Sequence, residues 1–260
     1  MARDYLEQLF GLSGQVAVVV GGTGVLGGAL CEGIAQAGAK VVVAGNSRQR
    51  GEERMRHIES LGGQAVFLPA DVGRRDSLEI LLADTIAALG RVDMLVNCAG
   101  VNSASAYLDV ADEDWQRVID VNLRGTHWGC QIFGAHMAAA GGGSILNIGS
   151  VTAALPLSRV FAYSASKAAV VNLSQNVARE LAPSGVRVNV LCPGFFPAEQ
   201  NRAILDETRT ASIMAQTPMA RFGQPEELVG PALLLLSRTA GSFMTGAACY
   251  VDGGFTAMRF

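Results

Sequence analysis

Tyr163 and Lys167 stand four residues apart in Tyr163-Ser164-Ala165-Ser166-Lys167, at the start of a helical stretch. On a helix that spacing puts both side chains on one face. An ammonium beside a phenol favours the phenolate and lowers its pKa, which a general acid/base working near neutrality needs. Alone, Tyr-x-x-x-Lys is equally the solvated face of an ordinary helix. A second pattern lies far upstream: Gly21-Gly22-Thr23-Gly24-Val25-Leu26-Gly27. Gly22, Gly24 and Gly27 fit G-x-G-x-x-G. The run directly follows the apolar segment Val16 to Val20 and opens a helical stretch near Leu26. That context suits a sharp turn whose backbone approaches a pyrophosphate at a helix N-terminus. The alternative is a glycine-rich turn with no ligand.

A dinucleotide loop of this type is read together with the end of the next strand. There an Asp or Glu favours NAD by binding the ribose. Here Val41-Val42-Val43-Ala44 runs into Gly45-Asn46-Ser47-Arg48, with no acid. Without the carboxylate a 2′-phosphate is not repelled. Asn46, Ser47 and Arg48 could donate to it, so the sequence leans to NADP, with NAD possible. Arg48 could also be an ordinary solvated residue at a helix start.

The elements that must position these residues are legible as well. Strands are expected at Val16 to Val20, Lys40 to Ala44, Ala65 to Pro69, Asp93 to Asn97, Ser144 to Ile148, Val186 to Leu191 and Ala248 to Val251. Several are apolar without alternation, as strands covered on both faces are. Helices are expected at Ser77 to Leu89, Asp112 to Met137 and Tyr163 to Leu181. This alternation predicts an α/β fold. It is a single-domain, doubly wound (Rossmann-type) parallel sheet of about seven strands with helices on both faces. The 260 residues suffice for one large core. The connection from Cys192 to Pro225 is long. In such a sheet it can cover a ligand beyond the strand ends, so a substrate lid is expected around residues 194–224.

Composition narrows the function classes. Net charge is -3, with no block of like charges, which argues against nucleic acid as a partner. No apolar run is long enough to span a bilayer. Five cysteines lack Cys-x-x-Cys or metal spacing and read as buried apolar groups in a reducing, cytoplasmic compartment. No metal is expected.

The glycine loop, Asp71-Val72, Asn97-Cys98-Ala99-Gly100, Asn122, Ser150, Tyr163 with Lys167, Pro193-Gly194 and Val251-Asp252-Gly253-Gly254 come in one order. Over nearly the whole chain that order resembles the short-chain dehydrogenase/reductase family. The resemblance implies an oxidoreductase that interconverts a ketone and a secondary alcohol. Tyr163 would exchange a proton with the substrate oxygen and Ser150 would hold that oxygen. Lys167 would bind the nicotinamide ribose and lower the pKa of Tyr163. Asn122 would hold a water linking Lys167 to solvent. Cofactor contacts are implied at Gly21, Thr23, Gly24, Val25, Leu26 and Gly27. Further ones follow at Asp71, Val72, Asn97, Ala99, Gly100, Pro193, Gly194 and Phe196. Taken singly, Ser150 could cap a turn, Asn122 satisfy backbone and Asp71 form a turn.

The chain departs from the family pattern in places. Val20 stands for a Thr before the loop, Val25 for a Gly, and Cys98 for an Asn. Phe195-Phe196-Pro197-Ala198 follows Gly194 where a carboxamide-binding Thr is usual. Gln200, Asn201 and Arg202 are rich in donors, and Arg202 or Arg159 could pair with a carboxylate. This looks like the sugar-acid members of the family, of gluconate or fructuronate type. A 3-oxoacyl thioester reductase remains the alternative, as do a bound-cofactor epimerase or dehydratase and a non-catalytic nucleotide sensor. The family also implies a homotetramer or homodimer, built on the helices near Trp115 to Met137 and Tyr163 to Leu181. The apolar Phe255, Met258 and Phe260 could pack on a neighbouring subunit or cover their own core.

Overall fold

Val16–Val20, the first strand (β1), is apolar at every position and buried at every position. A strand with no polar side must be covered on both faces, and it is. Ala17 and Val19 face one buried cluster, with Leu30, Ile34 and Leu235. Val18 and Val20 face another, with Leu78, Phe133 and Met137. The computed structural model describes residues 2–196 and 207–257.

After a short helix, α1 (Ala2–Phe10), the chain alternates strand and helix. The strands after β1 are β2 (Lys40–Gly45), β3 (Gln64–Pro69), β4 (Met94–Asn97), β5 (Gly143–Ile148), β6 (Val186–Pro193) and β7 (Ala248–Val251). They form one seven-stranded sheet in the order β3-β2-β1-β4-β5-β6-β7. Every pairing is parallel. The expected sheet is therefore the observed one, with strand ends shifted by a residue or two. On one face pack α2 (Val25–Gln36), α3 (Arg48–Ser60) and a late helix, Val229–Leu236. On the other pack α4 (Arg75–Leu89), a helix at Gly125–Ala139 and the long Phe161–Leu181.

The expected single helix from Asp112 to Met137 is interrupted. It is α5 (Asp112–Ile119), a π-helical turn (Asp120–Arg124) and α6 (Gly125–Ala139). A π turn inserts a residue into the helical ladder and often marks a functional position. The residue it presents to the interior is Asn122, fully buried. The remaining described helices are α7 (Phe161–Leu181), α8 (Glu207–Gln216) and α9 (Val229–Leu236).

Asp93, expected within β4, lies just before it, with its carboxylate 2% exposed. It accepts from the Val16 N–H at 2.9 Å and from Arg91 Nε at 2.8 Å and Arg238 Nη2 at 2.7 Å. It thus ties the starts of β1 and β4 to the chain beyond α9. Strand order reverses between β1 and β4, and the crevice beyond their carboxyl ends is where such a sheet takes ligands. The described residues include no helix long and apolar enough to cross a membrane.

Candidate active site

The glycine loop opens that crevice. Gly21 has φ +87°, and a Cβ there would sit 2.5 Å from Ala99 N. Only glycine therefore lets the end of β1 lie against the end of β4. A Cβ on Gly27 would run into the Gly21 carbonyl, so α2 packs directly on the loop. Gly24 is the N-cap of α2, and no side chain caps it. The first-turn N–H groups are thus left for an anion. The cleft beyond has a volume of about 390 Å³. Gly21, Thr23, Gly24, Val25, Leu26 and Gly27 line one end. Asp71, Val72, Ala99 and Gly100 line the middle, and Tyr163 and Lys167 the far end.

At that far end α7 presents Tyr163 and Lys167 one turn apart. Lys167 is buried, and its Nζ donates to the Ile148 carbonyl at 2.7 Å, at the end of β5. Its Nζ lies 5.6 Å from the centre of the Tyr163 ring. Ser150 follows β5, and its Oγ accepts the Thr152 N–H at 3.1 Å. Its hydroxyl is thereby oriented to donate to Tyr163, a hydrogen bond that pulls the phenol's pKa down. Asn122 reaches the same region from the π turn. Its Nδ2 donates to the Val101 carbonyl at 3.0 Å and to Ser166 Oγ at 3.1 Å, while Oδ1 accepts the Val101 N–H at 2.8 Å.

The mouth beside Tyr163 is built from three segments. Ser105 N–H donates to the Arg159 carbonyl at 3.1 Å. Tyr107 stacks edge-on against Phe161, with ring centres 5.0 Å apart. Arg209, on α8, donates to the Ser158 carbonyl at 2.9 Å. Pro197, Ala198, Gln200, Asn201 and Arg202, and the terminal Met258 and Phe260, lie outside the described residues. Phe255 is described, and it is buried within its own chain with its ring 5.0 Å from that of Phe195.

Comparison with known proteins decides the family. The family model described as "Enoyl-(Acyl carrier protein) reductase" matches residues 23–256. "Uncharacterized oxidoreductase UxuB" of Bacillus subtilis is 36% identical, over 95% of this chain and 96% of that protein. The chain belongs to the short-chain dehydrogenase/reductase family. Another member, "5-keto-D-gluconate 5-reductase" of Escherichia coli, is 31% identical over 96% of this chain and 98% of its own length. Among solved structures, a gluconate 5-dehydrogenase from Burkholderia cenocepacia "in complex with NADP and tartrate" superposes with a TM-score of 0.93. It is 32% identical, with 98% of this chain and 100% of that one covered.

The cleft of this short-chain dehydrogenase/reductase fits a nicotinamide dinucleotide. The loop leaves room that any Cβ at Gly21 or Gly27 would fill, and α2 starts uncapped beside it. Lys167, buried, uses one of its three donors on Ile148. Among the described residues no group of three His, Cys, Asp or Glu side chains could hold a metal.

Several residues expected to touch the cofactor have other partners in the structure. Arg48 does not line the cleft. It pairs with Glu52 at 3.2 Å and lies 5.9 Å above Phe67. Ser47 is the N-cap of α3 and is not part of the cleft wall. Once α3 starts at Arg48, its third residue, Arg50, turns toward the cleft, where it stands with Asn46. Asn97 is buried beneath the cleft and donates to Asn147 Oδ1 at 2.8 Å, joining β4 to β5. Phe196 is buried in the core and, with Phe195, Thr217 and Met219, lines a separate cavity of about 410 Å³. Pro193 pairs with Val251, and Gly194 N–H donates to the Val251 carbonyl at 2.9 Å, so both serve the β6–β7 join.

Burial acts on both members of the Tyr163–Lys167 pair. Tyr163 is pushed above the ordinary tyrosine value by burial, with only the Ser150 hydrogen bond opposing this. Lys167, itself held down to about 8 by burial, lies with its Nζ 5.6 Å from the ring centre. The Asn122 carboxamide commits both N–H groups to protein, so its evident work is to fix Val101 and Ser166. Asp71 Oδ1 accepts the Gly73 N–H at 2.9 Å, so it shapes its turn while lining the cleft.

Sequence reasoning missed Arg50, Thr152 and the Ile148 carbonyl. Thr152 carries a buried hydroxyl without a hydrogen-bond partner, two residues past Ser150. A backbone acceptor such as Ile148 leaves no trace in sequence.

Proposed function

We propose that this chain is an NADP(H)-dependent oxidoreductase interconverting a ketone and a secondary alcohol of a sugar acid. The observation that carries this is the convergence of Tyr163, Lys167 and Ser150 at one end of the cleft that the glycine loop opens. Bound nicotinamide supplies or accepts the hydride. Ser150 holds the substrate oxygen by hydrogen bonding, and Tyr163 gives that oxygen its proton in reduction or removes it in oxidation. Lys167 would hold the nicotinamide ribose with the donors it does not spend on Ile148. Asn122 positions the loop after β4. The glycine loop and α2 hold the pyrophosphate, and Asn46 and Arg50 the 2′-phosphate. Residues 194–224 act as the lid over the substrate.

The sugar-acid reading draws on the keto-gluconate reductase and on the gluconate 5-dehydrogenase solved in complex with NADP and tartrate, a hydroxy acid. Trp115 and Tyr107 are exposed on the α5 side, which suits a homotetramer or homodimer built on α5, α6 and α7. Five free cysteines suit a cytoplasmic setting.

The test is NADPH and NADH consumption, in parallel, on keto sugar acids, 3-oxoacyl thioesters and simple ketones. Turnover confined to the keto sugar acids with NADPH supports the reading. Turnover confined to the thioesters replaces it with the 3-oxoacyl reductase. Tight cofactor binding without turnover on any ketone points to a nucleotide sensor.

A further inference from the structure

We infer that Arg159 is the residue that recognises the substrate carboxylate. This deepens the sugar-acid reading and rests on it. Arg159 has φ +69°, and Ala220 is the only other non-glycine residue with positive φ among the described residues. A side-chain-bearing residue is strained there, whereas glycine would hold the same turn freely. The surroundings impose the strain: Ser105 N–H holds the Arg159 carbonyl, Arg209 holds the Ser158 carbonyl, and Tyr107 packs on Phe161. The segments following β4, β5 and β6 thus meet at Arg159, on the edge of the sheet where this fold takes ligands.

The side chain has the right chemistry and no other evident use. It is exposed, and among the described residues it has no ion-pair or hydrogen-bond partner. Arg48, Arg74, Arg75, Arg117 and Arg221 each pair with a carboxylate. Arg159 lies two residues before α7 begins at Phe161 and four before Tyr163, so the turn that carries it leads directly into the helix that carries the candidate acid/base. The start of α7 adds to the attraction. It has no acidic residue in its first turn and no side-chain cap at Val160, so its partial positive charge is uncompensated. A guanidinium can bind the carboxylate through two parallel hydrogen bonds.

The test is steady-state reduction of 5-keto-gluconate with NADPH by the wild type, Arg159→Gln, Arg159→Lys and Arg159→Gly, with NADPH Kd measured by fluorescence. Arg159→Gly suits the positive φ and keeps the fold while removing the guanidinium. Arg159→Gln and Arg159→Gly are expected to raise KM by about tenfold or more, with kcat within about threefold and NADPH Kd unchanged. Arg159→Lys should fall between. A KM within about twofold of wild type in both neutral variants overturns the assignment, as does a weakening of NADPH binding that accounts for the lost activity. Wild-type protein that reduces no sugar acid overturns the substrate reading and this assignment together. Wild-type turnover with insensitive variants overturns only the role of Arg159.

Discussion

Asn122 and Val101 exchange two hydrogen bonds, Val101 N–H to Oδ1 at 2.8 Å and Nδ2 to the Val101 carbonyl at 3.0 Å. The π turn is what aims a fully buried carboxamide at backbone 21 residues away. The contact fixes the segment after β4 where it passes Tyr163 and Lys167. Asn122→Ala leaves the half-buried N–H and C=O of Val101 without their partner, which costs about 1 kcal/mol. Denaturant melts should show that loss, and turnover should fall as Val101 moves. A variant with unchanged stability would mean the pair contributes nothing.

Tyr163→Phe removes the hydroxyl and keeps the ring. The cleft wall survives, so NADPH Kd should stay within about threefold. Proton transfer is worth roughly 10²–10⁴-fold, and turnover should fall by that much. Retention of most activity would sink the proton-transfer role.

Lys167 has a pKa near 8, below the ordinary lysine value of 10.5, because burial disfavours its charge. Below pH 8 it is protonated in both the folded and unfolded chains, and the folded chain carries the full cost of the buried ammonium. Between pH 8 and the unfolded value near 10.4 the unfolded chain binds more protons, so this group makes stability rise with pH. Urea melts of wild type and Lys167→Met should therefore differ less at pH 9.5 than at pH 7.5, with the variant gaining the most at the lower pH. A gap independent of pH would mean that Lys167 does not titrate in that window.

Arg50 and Arg48 separate the cofactor preference. Arg50→Ala should weaken NADPH binding by roughly 10–100-fold and leave NADH binding nearly unchanged, since only the former has a 2′-phosphate. Arg48→Ala removes an exposed pair with Glu52 and should change neither. Equilibrium titrations with both cofactors decide this. The opposite pattern would restore Arg48 as the phosphate ligand.

The sequence by itself determined the sheet and the two ends of the cleft. Val16 to Val20 and Val41 to Ala44 are apolar on both sides because parallel strands are buried on both faces. Gly21, Gly24 and Gly27 carry their meaning locally, since the turn and the helix start they build are consecutive in the chain. Tyr163 and Lys167 share a face by helical period alone. The tertiary structure alone decided the contacts that depend on helix phase or on distant backbone. The start of α3 at Arg48 turned Arg50 rather than Arg48 into the cleft. The π turn aimed Asn122 at Val101, and the pairing of β4 with β5 took Asn97 for Asn147. The Tyr163 proton was decided the same way. Spacing showed a lysine within reach, but burial, which raises the tyrosine and lowers the lysine, is a property of the packed interior.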